Sequence, residues 1–342
     1  MNMNMNYSAL TRTISKSDIE QLRTIPEYAR TFWSSNLAGA LYGGVGMTAI
    51  FIAPLVTLIS EREVSVLVIV RYVIAIIISA GIGALIVRYI RRRTDLRLYR
   101  FVYFAKENNF QYQQKHSTGG QPGLIFHEGH SRIFRDVISG AANDTPFEMG
   151  NYFYVTGSGK NQQSHDWGYM VIPLKRHVPN MILDAKSNNM SMFGIEMTNL
   201  PSAFKNNQTL SLEGDFDNYF TLYAPKEYKR DALYIFTPDL MALLIDNTAT
   251  FDVETVDDKL YIYSSQQLNL LNPLLLEKLF QIITTVGVKT ISQTASYADE
   301  RVIESAQGSI IAEPGRRLKP SYTKTIVIIA GIAILYFLLI VF

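Results

Sequence analysis

The chain has 342 residues, no cysteine and a formal net charge of +2. That is length for a sizeable core plus further segments, and the missing thiols exclude disulfides, cysteine-ligated zinc and iron–sulfur clusters. The small net charge hides a split: residues 101–313 hold 16 Lys and Arg against 24 Asp and Glu, whereas the flanks hold 16 against 6. An acidic body is a poor counterpart for a phosphate backbone, which argues against nucleic acid as a partner.

Residues 1–12, "MNMNMNYSALTR", read as a tail without fixed structure. In "SKSDIEQLRTIPEYARTFWSSN", Ile19, Leu22, Ile25, Tyr28 and Phe32 recur at helical spacing. Thr24-Ile25-Pro26-Glu27 has the form of a capping box with proline near the helix start. Two placements fit such a helix: flat in the membrane interface, or packed on the central domain. With the tail it makes an N-terminal region, 1–35.

Three apolar segments follow from the sequence. "LAGALYGGVGMTAIFIAPLVTLI" (37–59) carries no charge and is long enough to cross a hydrocarbon core of about 30 Å. "VSVLVIVRYVIAIIISAGIGALIVRYI" (64–90) is longer and contains Arg71. The two form a transmembrane hairpin over 36–94, and "TIVIIAGIAILYFLLIVF" (325–342) is a C-terminal anchor behind a basic linker, 314–324. The first segment lies behind a polar region and is followed at once by a second, so it does not read as a cleavable signal peptide.

Basic residues set the orientation. "RYIRRRTDLRLYR" and "GRRLKPSYTK" flank the central region, while the short loop "SEREVS" has one arginine. The N-terminus and central domain are therefore expected on the cytoplasmic side of a cell membrane, and the hairpin loop and C-terminus outside. Arg91, Arg92, Arg93, Arg316, Arg317 and Lys319 are expected to meet anionic headgroups. Arg71 and Arg88, about 24 Å of helix apart, can snorkel in opposite directions, the alternative being a functional arginine within the membrane. Gly39 and Gly43, and Ala75, Ser79 and Gly83, have the spacing of close helix contact, within the hairpin or with another copy. The expected partners are membrane lipids and a protein partner or second copy.

Residues 95–313 form the cytoplasmic domain. "LRLYRFVYFAKENNF" continues the second span as a helix. "SRIFRDVISG", "PFEMGNYFYVT", "HDWGYMVIPL", "NMILDAK", "TLSLEGDF" and "NYFTLYA" read as strands, with "GSGKNQQS" as a long hairpin tip. Pro225 and Pro238 open helices, the second with Thr237 as cap. "TFDVETVDDKLYIYSS" reads as a hairpin turning at Asp257-Asp258, and the stretch from Pro273 as helix, weakened near Gly287. Antiparallel strands with helices packed late in the chain make an α+β class, here with three transmembrane helices.

"SLEGDFDNYFTLYAPKEYKRDALYIFTPDLMALLID" followed by "FDVETVDDKLYIY" resembles a bacterial membrane-protein family defined by domain of unknown function 3137. "NYFYVTGSGKNQQSH" and "GLIFHEGHSR" resemble a subgroup from small-genome candidate-phylum bacteria. The resemblance covers roughly residues 96–290. It implies a membrane-anchored bacterial domain and carries no activity with it.

The chemistry on offer is thin. His127 and His130, in "LIFHEGHSRIF", would face each other across a hairpin turning at Glu128-Gly129, which is half of a metal site. His116, His165 with Asp166, or His177 would have to complete it; a structural turn is the plainer reading. Gly-Ser-Gly-Lys at 157–160 lacks the lead and the helix of a phosphate loop. Asp215/Asp217 and Asp257/Asp258 suit a hard cation or solvated turns. Tyr219, Phe220, Tyr223, Tyr261 and Tyr263 suit a core face by alternation, or a ligand groove. No catalytic residue and no cofactor motif emerges. The expected role is membrane-anchored interaction, sensing or scaffolding, with a metal-dependent hydrolase using His127 and His130 as the alternative.

Overall fold

A computed structural model describes residues 5–25, 28, 56, 66–117, 120–192, 195–302 and 310–321. The chain divides into two compact units, one of Asn6–Glu107 and one of Met1–Met5 with Asn108–Phe342.

In the first unit, α1 (Ser8–Thr11) and α2 (Lys16–Arg23) pack on α3 (Val66–Glu107), an unbroken helix of 42 residues. Ala9 and Leu10 are buried, so the expected tail is ordered from Ser8. A capping box opens α2, and the one expected over Thr24–Glu27 runs into Pro26 and Glu27, outside the described residues. Ser15 accepts from the Asp18 N–H at 3.2 Å, and the Asp18 carboxylate accepts from the Ser15 N–H at 2.8 Å. Thr24 ends α2, its hydroxyl donating to the Gln21 carbonyl at 2.7 Å. Among the described residues α3 is the one helix long and apolar enough to cross a membrane. The expected spans 37–59 (Val56 aside) and 325–342 lie outside the described residues.

The second unit is α+β, built on an antiparallel sheet. Its strands are β1 (Gln111–His116), β2 (His130–Ala142), β3 (Thr145–Thr156), β4 (Gln163–Ala185), β7 (Thr209–Leu210), β8 (Phe220–Tyr223) and β9 (Asp252–Ser264). The order is β1-β2-β3-β4-β8-β7, with β9 along the other edge of β4. β5 (Met190–Met192) and β6 (Ile195–Met197) form a separate ribbon. Late in the chain come α4 (Lys229–Ile235), α5 (Pro238–Thr248), α6 (Pro273–Ile282), a π-helical turn (Ile283–Gly287), α7 (Val288–Thr294) and α8 (Glu313–Arg316).

Three readings change. "HDWGYMVIPL" and "NMILDAK" are one strand, because Pro173 and Pro179 sit at or beside register shifts, where the missing N–H is tolerated. "TFDVETVDDKLYIYSS" is also one strand: Asp257 takes φ 52° opposite Val178, as a bulge rather than a turn. "TLSLEGDF" contributes a strand of two residues only. A sharp hairpin joins β2 to β3 through Asn143 and Asp144, both at positive φ, the backbone that a two-residue turn requires. In α5, Pro238 and Asp239 occupy the first turn as expected, but the Thr237 hydroxyl makes no capping bond.

An aromatic core lies under the sheet. Phe126 meets Phe134, Tyr152, Tyr169 and Tyr261 at ring centroid distances between 4.8 and 5.6 Å. Each buried tyrosine hydroxyl needs an acceptor: Tyr152 donates to the Phe126 carbonyl, Tyr169 to Glu148, Tyr261 to Gln121 and Tyr263 to Glu254. Phe220, Tyr261 and Tyr263 are buried and Tyr223 is half-buried, so the alternation marks a core face; Tyr219 is exposed.

Candidate functional site

Two regions concentrate what function the chain can have: the first unit around α3, and the polar groups sealed between sheet and loops in the second.

Along α3, most of the large apolar side chains from Val66 to Ile90 are exposed. From Asp95 to Ala105 the pattern reverses, and Leu98, Tyr99, Phe101, Val102, Phe104 and Ala105 are buried. The N-terminal helices cover that stretch. Arg12 donates to the Tyr99 hydroxyl, lies over the Tyr99 and Tyr103 rings, and pairs with Glu107 at 3.6 Å. Arg23 pairs with buried Asp95 at 3.0 Å. Burial holds the Asp95 carboxyl above its ordinary range despite Arg23 and Arg91 nearby. The N-terminal segment thus packs on the far end of α3.

Arg92 and Arg93 are exposed and Arg91 half-buried, at the boundary between the apolar and packed stretches. Arg93 lies over the Tyr89 ring. Arg71 is exposed close to the start of α3. Ser79 and Gly83 are buried, and the Ser79 hydroxyl donates to the Ile76 carbonyl at 2.9 Å. Gly39 and Gly43 lie outside the described residues. Of the second basic cluster, Arg317 makes a two-pronged bond to Asp257 (2.9 and 3.0 Å) and Arg316 pairs with Glu313. The backbone of Lys319 is held by Gln208.

The histidine pair is not assembled as expected. Leu124–His127 is a 3₁₀ turn, not a strand, so no hairpin brings His127 opposite His130. His130 begins β2 and pairs with Val155. Its ring nitrogens meet the Gly157 carbonyl and the Ser131 hydroxyl, while His127 Nε2 meets the Pro122 carbonyl at 3.3 Å. Arg132 clamps the turn, donating to the carbonyls of His127, Glu128 and Gly129. The candidate third ligands are engaged elsewhere: His116 stacks on Phe134, and His165 stacks on Tyr154 beside the Thr156 hydroxyl. Among the described residues, no three His, Asp or Glu converge as a metal site.

The other sequence candidates are local structure. Gly157–Lys160 is the β3–β4 connection, with Gly157 and Gly159 at positive φ. Asp217 accepts from the Ser211 hydroxyl and the Leu212 N–H. Asp257 belongs to Arg317, and Asp258 pairs with Lys259.

Sequence reasoning did not single out Glu254, which is buried on β9. Oε2 accepts from the Leu124 N–H and the Tyr263 hydroxyl, each at 2.7 Å, and Oε1 accepts from the Asn180 amide at 2.7 Å. Burial outweighs these donors and pushes the carboxyl up to about 7. Asn180 is locked in turn: its Nδ2 also donates to the Thr255 carbonyl, and its Oδ1 accepts from the Leu318 N–H at 2.9 Å. A second buried carboxylate, Asp252, accepts from the Ala185 N–H, Asn188 and Asn199, and burial raises it too. Arg301 forms a third node, bonded to Asp231, Asp299 and the Glu227 carbonyl over the Tyr228 ring.

No family model matches the chain, and no curated protein matches it. Among solved structures it is similar to the mycobacterial trehalose monomycolate transport factor A, TtfA. The identity is 9%, over 57% of this chain and 92% of that one, at a TM-score of 0.34. A likeness that loose carries neither a fold nor a function across.

Proposed function

We propose that the chain is a multi-pass protein of a bacterial cell membrane that holds its α+β domain at the cytoplasmic face for interaction, sensing or scaffolding. The carrying observation is α3, exposed and apolar over Val66–Ile90 and then buried on one side from Asp95. The first stretch rises about 37 Å, more than a hydrocarbon core of about 30 Å. The arginines at its end favour the cytoplasmic side, and Arg92 and Arg93 present their charge to anionic headgroups there.

The N-terminal helices add a topological reason for a further span. They pack on α3 beyond residue 95, whereas the chain must next reach Val66 at the opposite end of the helix. A crossing of the bilayer ahead of Val66 is part of this proposal, and 37–59, apolar and uncharged, is the stretch proposed for it. The apolar run 325–342 is the third span, behind Arg316, Arg317 and Lys319. The resemblance to the family of domain of unknown function 3137 supports the same reading.

Reporter fusions test it. A reporter inserted at Gly159 is expected to be active only in the cytoplasm, and one fused after Phe342 only outside. The opposite pattern refutes the orientation, and activity of both on one side refutes the third span.

A further inference from the structure

Glu254 lies under two segments that close over the sheet. One is the loop 120–127. Its Leu124 N–H is bonded to Glu254, its Gln121 takes the Tyr261 hydroxyl, and a Cβ on Gly123 would come within 2.1 Å of the Tyr263 oxygen. The other is a strap, residues 310–321. Leu318 packs with Ile182, Leu200 and Phe204. Gln208 brackets the Lys319 backbone with two bonds, and the Ser321 N–H reaches the Ala203 carbonyl at 2.7 Å. Asn180 joins the two sides, holding Glu254 with its amide hydrogens and Leu318 with its oxygen. One carboxyl group therefore contacts the loop directly and the strap through a single side chain.

We propose that Glu254 is a proton-dependent latch that holds the loop 120–127 and the strap 310–321 on the sheet in its neutral form and loosens both when it ionises.

The sign follows from where the carboxyl prefers its proton. Docked, burial raises it to about 7, against an ordinary value of 4.5. Opening the loop and strap returns it to water. A raised value in the closed state means that closure is strongest below the open-state value and weakens as pH rises toward the closed-state value. The groups facing Glu254 are Tyr263 and Tyr261 on β9, Asn180 on β4, and Arg317 on the strap. Arg317 opposes the shift, but its charge is shared with Asp257. Leu124, Asn180 and Tyr263 all donate to the carboxyl, so each favours its ionised form, and burial is what favours the proton. The strap leads into the apolar run at 325, so the latch would pass a change of proton concentration to the membrane side of the domain. The latch itself stands whether or not that run spans.

Hydrogen exchange on the full chain in detergent, read on peptides covering 120–127 and 315–321, tests the proposal after correction for the intrinsic pH dependence of exchange. Between pH 6 and pH 8 the opening equilibrium is expected to rise about tenfold in both peptides together. Glu254→Gln, which cannot ionise, is expected to abolish the rise. Tyr263→Phe, which removes a donor to the carboxylate, is expected to move its midpoint to higher pH. The His127→Ala and His177→Ala variants keep the transition. Flat protection in the wild type, an unmoved midpoint in Tyr263→Phe, or loss of the transition in either histidine variant overturns the proposal. The tyrosine variant serves if Glu254→Gln does not fold.

Discussion

Gly129 offers a test of whether the histidine turn is held by geometry. Its φ of 56° is open to glycine, and a Cβ there would lie 2.2 Å from the Val155 carbonyl oxygen and 2.8 Å from Tyr154 Cδ2. Gly159, in the β3–β4 connection, has nearly the same φ, 57°, with nothing within 4 Å of its Cβ. Alanine at either site carries the cost of a left-handed backbone, about 1 kcal/mol. At Gly129 the Val155 carbonyl must also retreat. That disturbs the ladder at His130–Val155 and the packing of Tyr154, adding roughly 2 kcal/mol. For a domain of this size the melting temperature is expected to fall by about 6–12 °C in Gly129→Ala and about 2–4 °C in Gly159→Ala. Thermal unfolding of the purified protein, followed by circular dichroism, measures both. Equal shifts would refute the reasoning, because they would mean that the turn yields freely and Val155 imposes no constraint.

Asn151 is expected to be as sensitive as a core apolar residue. Its side chain bonds both the N–H and the carbonyl of Leu268 (2.6 and 3.1 Å), and Asn151→Ala should cost about 2–4 kcal/mol in denaturant unfolding. Arg301→Lys keeps the charge but loses the fork to Asp231 and Asp299 and the stacking on Tyr228, a loss of about 1–2 kcal/mol. Asp299 is held below its ordinary value by Tyr228, the Ala312 and Arg301 N–H groups and the Arg301 side chain, against burial. Its contribution is thus present above the ordinary carboxylate value and lost as pH falls through the lowered one. Acid unfolding of Arg301→Lys should accordingly begin at higher pH than in the wild type.

The class of the fold was legible because its main strands announce themselves by composition. "SRIFRDVISG" and "PFEMGNYFYVT" are half-buried, β-branched and aromatic, and they fall within β2 and β3. The two departures share one cause. Pro173 and Asp257 look like breaks because proline and paired aspartates usually end strands. Here they lie on neighbouring strands at the same irregularity, so the bulges accommodate one another and the sheet continues. That pairing is long-range and leaves no local mark. The N-terminal region shows how a local rule can recur. Ser15 and Asp18 form the capping box of α2 by the same pattern that Thr24-Ile25-Pro26-Glu27 fits nine residues later.

The site was less legible, and the reason lies in burial. Two histidines three apart attract attention because imidazole binds metals, yet what decides their role is the conformation of Gly129 and the clamp of Arg132, neither of which has a periodic signature. Glu254 does not stand out in the sequence, because "FDVETV" reads as ordinary alternation with an acid on the solvent side. Its side chain turns inward because three donors from three distant places, Leu124, Asn180 and Tyr263, meet there. A charged residue type at a position sealed from water is stable only if such donors are supplied or a proton is taken up. Glu254 has both routes open near neutral pH, which is why the position is sensitive to protons and why a sequence read without its fold gives no hint of it.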